Sequence, residues 1–231
     1  METQIQTTYT QADIERILRE VRFEYQRVEL PFGLATPGAD RSDVVDLVLP
    51  ASLAGKTVLD VGCALGYFCF EAEARGAQRV VGVELKPQRF EQASLLKQIK
   101  GSQVELVCQD VLQDPIVESF DYVLLLNVIH HVPEPVRLLR QLASITRERM
   151  IVEFPTLADP KFAATVRAKF APESDALPLI GVSSLAGADQ TFVFTPSAIQ
   201  RILQDHSPLF RRVEIHPSPT EGSAIAVCSQ Y

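Results

Sequence analysis

Three acidic residues close three strand-like runs in this chain. Asp60 lies in TVLDV, Glu84 ends RVVGVE, and Asp110 follows QVELVC in the segment CQDVL. Between the first two is a turn with glycines at Gly62 and Gly66, followed at once by a helix-like stretch. Glycine lets a backbone approach a ligand closely, and free N–H groups at a helix start attract negative charge. Glu84 comes 24 residues after Asp60, a spacing that suits a carboxylate accepting hydrogen bonds from two ribose hydroxyls. Asp110 could reach an exocyclic amine, and Asp60 suits a ligand that carries an ammonium group. Taken singly, each is equally a surface acid, a helix cap or part of a tight turn. Together they point to the carboxyl edge of an open α/β sheet, where such sheets bind ligands.

The elements that must position these residues alternate along the chain. Strand-like runs at Thr57–Val61, Arg79–Glu84, Gln103–Cys108, Phe120–Leu126 and Arg149–Glu153 are nearly continuous in apolar residues. Helix-like segments at Gly66–Arg75, Pro87–Lys100 and Glu134–Ile145 separate them, with Gly76 and Gly101 as stops. That alternation is the mark of a parallel sheet in an α/β fold. A helix over Pro196–Asp205 follows, then strands at Leu209–His216 and Ser223–Cys228 joined by PSPTEG. So short a link joins only antiparallel neighbours. The expected fold is therefore a Rossmann-like α/β sheet, mostly parallel with an antiparallel C-terminal strand. Helices should lie on both faces.

Two regions lie outside that core. Residues 1–50 form an expected N-terminal helical cap, with a helix over Thr10–Val28 carrying Ile14, Ile17, Leu18 and Val21. Residues 155–194 interrupt the alternation with Pro, Ala, Leu and Ser, and read as a lid-like insertion. Phe154, Phe162, Phe170, Phe192 and Phe194 crowd this stretch as either an acceptor pocket or ordinary core. The whole of 1–231 reads as one domain.

Composition narrows the function classes. With 22 Lys and Arg against 29 Asp and Glu, the net charge is −7, a poor balance for gripping nucleic-acid phosphates. No secretory signal and no run of about 18 apolar residues is visible, so a cytoplasmic protein without membrane association is expected. Cys63, Cys69, Cys108 and Cys228 lack CxxC spacing and read as buried thiols. The register G-x-G-x-x-G of dinucleotide enzymes is absent from VGCALG.

With these motifs the chain resembles the class I S-adenosylmethionine-dependent methyltransferases. DVGCALG is similar to their first motif, with Ala64 in place of the middle glycine, a change compatible with a negative φ there. VVGVE resembles the second motif, CQDVL the adenine-contacting segment, and FDYVLLLNVIHHV the fourth strand and its catalytic-edge loop. The resemblance implies S-adenosyl-L-methionine as cofactor, bound by Asp60, Gly62, Ala64, Gly66, Tyr67, Glu84, Leu85, Asp110, Val111 and Asn127. Tyr67 either lines that pocket or packs the start of its helix.

LPFGLATPGADRSD and FVFTPSAIQRIL further resemble the wobble-uridine tRNA methyltransferase-like branch and its small-molecule relatives. That resemblance adds Arg41 as a partner for a carboxylate, unless it is a surface residue in a turn. In the tRNA enzyme, basic and tyrosine side chains grip a carboxylated cofactor, and His130 stands at one such tyrosine position. A small-molecule acceptor methylated at oxygen is therefore the expectation. A tRNA-modifying enzyme and a non-catalytic adenosyl-binding module are the alternatives. An oxygen nucleophile of high pKa needs a base, and His130 or His131 would supply it. No metal site is expected.

Overall fold

The computed structural model describes residues 8–160, 176–182, 192–205 and 209–230. They gather into two compact units, Met1–Asp110 and Val111–Tyr231.

The first unit opens with α1 (Gln11–Glu20), whose N-cap Thr10 and Asp13 form a capping box. Ile14 and Ile17 supply its buried stripe. The helix expected to run on to Val28 stops here, because the 3.6-residue apolar spacing lapses after Val21. Phe23, Val28 and Leu30 are buried instead from non-helical backbone, extended at Leu30, where Pro31 disfavours helix. Residues 25–39 fold back as a strap. Arg27 N–H donates to Ala39 O at 2.9 Å and Thr36 N–H to Val28 O at 3.0 Å.

Beyond α2 (Ser42–Val48) come β1 (Thr57–Val61), α3 (Tyr67–Ala74), β2 (Arg79–Glu84), α4 (Pro87–Lys100) and β3 (Glu105–Cys108). The strands pair in parallel in the order β3-β2-β1, with Leu59 opposite Val81 and Val81 opposite Glu105. β1 and β2 are buried after their first residue, as two-faced coverage requires, while β3 is largely exposed. Gly101 ends α4 in the left-handed conformation at φ 63°. β3 begins two residues later than expected.

In the second unit, β4 (Phe120–Leu126) pairs in parallel with β5 (Thr146–Pro155), separated by α5 (Pro135–Ser144). β5 extends at both ends past the expected Arg149–Glu153. A two-stranded antiparallel sheet joins β6 (Ile180–Val182) and β7 (Phe192–Phe194). Then α6 (Pro196–Gln200) continues into a π turn over Arg201–Asp205. β8 (Arg212–Pro217) and β9 (Ser223–Ser229) form the expected hairpin. β9 inserts between β5 and β8, antiparallel to both, in the order β4-β5-β9-β8. The mostly parallel α/β arrangement with an antiparallel C-terminal strand is the one expected.

Phe154 and Phe194 are fully buried and meet edge to face at 6.4 Å, so these two pack as core. Phe162 and Phe170, and with them most of the expected lid, lie outside the described residues. Among the described residues no helix is long and apolar enough to cross a membrane.

Candidate functional site

The turn from β1 into α3 is built from left-handed residues. Gly62 and Gly66 have φ of 77° and 84°, which glycine adopts without penalty. Ala64 has φ 51°, so the expected negative φ is corrected. A non-glycine residue there costs about 1 kcal/mol or more. Its backbone is held by a hydrogen bond, since Ala64 N–H donates to Glu84 Oε2 at 2.9 Å. Lys86 N–H donates to Glu84 Oε1, also at 2.9 Å. The buried carboxylate at the end of β2 is thus fixed in place by backbone on both sides.

Every N–H from Gly62 to Tyr67 is engaged. Gly62 and Cys63 donate to Val83 O at 2.7 and 3.0 Å, and Gly66 donates to Cys63 O at 2.8 Å. Leu65 and Tyr67 donate to Gln26 Oε1 at 3.1 and 3.4 Å. A glutamine of the strap thus occupies the first N–H of the helix start that the sequence left open. No local signal marked Gln26, because its partners lie 39 and 41 residues away.

Asp60 sits inside β1 rather than at its end, and is 2% exposed. Burial raises its pKa to about 7, helped by the charge of Glu84 and opposed by a hydrogen bond from Cys69 Sγ at 3.5 Å. Its β2 partner is Gly82, where a Cβ would stand 2.7 Å from Cys69 Sγ and 3.0 Å from Cys63 Sγ. Burial likewise lifts the Tyr67 hydroxyl to about 12, with Glu71 and Asp40 adding repulsion. Tyr67 packs edge to face on Phe68, and the Arg41 guanidinium lies 5.6 Å from the Phe68 ring centre.

Leu85, next to Glu84, is 59% exposed. Gln109 N–H donates to Glu84 O at 3.1 Å, tying the residue before Asp110 to the end of β2. The first unit thus brings Arg41, Asp60, Gly62, Ala64, Gly66, Tyr67, Glu84 and Leu85 around one turn, with the half-buried Asp110 following β3. Cys63, Cys69 and Cys228 are buried as expected, but Cys108 is exposed because β3 is poorly covered.

In the second unit Val111 O accepts from Gln141 Nε2 at 3.0 Å. Asn127 leaves β4 at φ 55° and donates through Nδ2 to Glu153 Oε2 at 2.8 Å. Glu153 is fully buried and its Oε1 accepts from Ser218 Oγ at 2.6 Å. The Asn127 amide expected at a cofactor is thus engaged with this carboxylate. Glu153 was legible as an acid ending an apolar run, the signal that marked Glu84. His130 and His131 occupy a 3-10 turn with ring centres 4.0 Å apart, the first buried and the second exposed. Among the described residues no cluster of His, Cys, Asp and Glu could hold a metal ion.

Residues 58–149 match a family model described as a methyltransferase domain. A ubiquinone biosynthesis O-methyltransferase of Neisseria meningitidis is 32% identical over 133 residues, covering 53% of this chain and 56% of that protein. A tRNA U34 carboxymethyltransferase of Shewanella denitrificans is 37% identical over 92 residues, covering 39% of this chain and 28% of that protein. The chain spans about half the length of the first of these relatives and less of the second. Among solved structures, the N-terminal domain of EvdMO1 with SAH and D-fucose covers 97% of this chain at TM-score 0.68 and 17% identity, with 98% of that chain matched. Magnesium protoporphyrin IX methyltransferase from Synechocystis PCC 6803 with bound SAH covers 81% of this chain and 80% of that one, at TM-score 0.59 and 23% identity. At such identities the likeness is one of fold. Residues 58–149 are thus similar in sequence to a methyltransferase domain, and the fold is similar to those of methyltransferases.

Proposed function

We propose that the chain is an S-adenosylmethionine-dependent methyltransferase that methylates a small-molecule acceptor at oxygen. The observation that carries the cofactor assignment is Glu84. Its two carboxylate oxygens are each oriented by one backbone N–H, from Ala64 and Lys86, which leaves further lone pairs for a vicinal diol. The exposed Leu85 beside it offers apolar surface for a purine.

S-adenosylmethionine supplies a methyl group on a sulfonium, open to in-line displacement. The protein's contribution is alignment, which supplies much of the rate in such transfers. His130 is the preferred candidate base, since it is the buried member of the pair and a proton it takes from a bound hydroxyl is shielded from exchange with bulk water. The acidic balance of the chain favours a small acceptor over tRNA.

Calorimetric titration with S-adenosylhomocysteine tests the cofactor assignment. Glu84→Ala should weaken binding about tenfold or more, since losing hydrogen bonds to a charged group costs about 1.5–3 kcal/mol. Affinity kept within twofold would overturn the ribose role. Labelled methyl transfer into fractionated small metabolites and into tRNA then separates the acceptor classes. Turnover undiminished in both His130→Ala and His131→Ala would remove the base.

A further inference from the structure

We propose that Gln26 holds the amino-acid end of the bound cofactor, donating from its amide nitrogen to the cofactor's carboxylate. The inference rests on the S-adenosylmethionine reading above and deepens it. A methionine-type carboxylate beside the β1–α3 turn needs donors, and the turn has none to spare. All six N–H groups from Gly62 to Tyr67 are already engaged. With those six taken, a side-chain donor beside the turn is the group placed to meet the anion.

Gln26 is placed for that role. Its Oε1 accepts from both Leu65 and Tyr67, which fixes the amide orientation, because only the oxygen can accept from two N–H groups. Oε1 and Nε2 share one carbon, so pinning the oxygen presents the two Nε2 donors beside the same turn. Nε2 makes no hydrogen bond among the described residues.

The strap also holds the Gln26 backbone. Thr36 Oγ1 donates to Gln26 O at 2.8 Å, and Ala39 bridges in parallel to Gln26. Gly38, at φ 147°, approaches so closely that a Cβ would stand 2.6 Å from Gln26 C. Tyr25, the residue before Gln26, is held at φ 89°, a strained geometry that persists only where the surroundings enforce it. Part of the T-P-G stretch at 36–38 thus serves to seat one glutamine.

The test compares two nucleosides on the full chain, S-adenosylhomocysteine and 5′-methylthioadenosine, which lacks the amino-acid end. Gln26→Ala should weaken S-adenosylhomocysteine at least tenfold and leave 5′-methylthioadenosine within twofold. Gln26→Glu keeps the two acceptor bonds, and so the melting temperature, but removes the donor. It should lose S-adenosylhomocysteine to the same degree or more. Gly38→Ala, which displaces the strap, should show the same selectivity.

Unchanged S-adenosylhomocysteine affinity in Gln26→Glu would make Gln26 a helix cap only and overturn the assignment. Tighter binding in Gln26→Ala would overturn it too, by showing that Gln26 competes with the ligand for the turn. Equal losses for both nucleosides would sink the assignment while sparing the cofactor reading. A wild-type chain that binds neither nucleoside would sink both.

Discussion

Asp60 is a carboxyl group whose burial makes its charge costly. In the unfolded chain it titrates near its ordinary 3.8, whereas in the folded protein burial pushes it to about 7. Between those values the folded state binds more protons than the unfolded one, so stability falls as pH rises from about 4 to 7. Three units correspond to roughly 4 kcal/mol. Asp60→Asn should flatten that slope in denaturant titrations at pH 5 and pH 8, with most of its stabilisation at pH 8. A slope unchanged by the substitution would assign the pH dependence elsewhere. If the ammonium group of the cofactor lies near Asp60, binding favours the ionised carboxylate. S-adenosylhomocysteine titrations at pH 6 in buffers of different ionisation enthalpy should then show proton release that fades by pH 8. Ala64, strained at φ 51°, gives a simpler case. Ala64→Gly should raise stability by up to about 1 kcal/mol, read as a shift in denaturant midpoint.

Two elements are tuned at single positions. β2 passes beneath α3 at Gly82, where a methyl would meet Cys69 Sγ at 2.7 Å and Leu106 Cδ2 at 2.9 Å. Gly82→Ala should cost about 1–3 kcal/mol in chemical denaturation, because the strand must shift away from the helix or the thiols must repack. β5 carries Glu153 into the core, where Asn127 and Ser218 satisfy it. Glu153→Ala would leave both of those groups without their acceptor. A loss of about 2–4 kcal/mol is expected in the melting of the purified protein. Glu153→Gln, able to accept from Asn127 and donate to Ser218, should recover most of it. The cap region shows how an element can mislead. The stripe of Ile14 and Ile17 gave a true helix, but Phe23 is buried just beyond it, and Val28 and Leu30 bury themselves from the strap with period-2 spacing.

At the scale of the whole molecule, a chain of net charge −7 is expected to show no retention of tRNA in filter binding at about 0.15 M salt. Retention that falls steeply with salt would instead point to a local basic surface and a nucleic-acid acceptor. The acidic excess is partly structural. Asp60, Glu84 and Glu153 are buried and spent on internal contacts, so the sum overstates the charge a partner meets.

How much of this was legible in the sequence follows from the range of the interactions. Strand bounds at Thr57–Val61, Arg79–Glu84 and Phe120–Leu126, and the helix Pro87–Lys100, come from local apolar runs and stop residues. The carboxylate of Glu84 at the end of β2 was equally visible, since a strand's last residue is fixed by the strand. The state of the β1–α3 turn was decided by tertiary structure alone. Its N–H groups are taken by Val83, Glu84 and Gln26, and only the folded strap brings Gln26 to Leu65 and Tyr67. Sequence thus determined where the Glu84 carboxylate stands, because that depends on one strand end. Tertiary structure decided which N–H groups of the turn are taken, because hydrogen bonds made across some 40 residues leave no periodic trace.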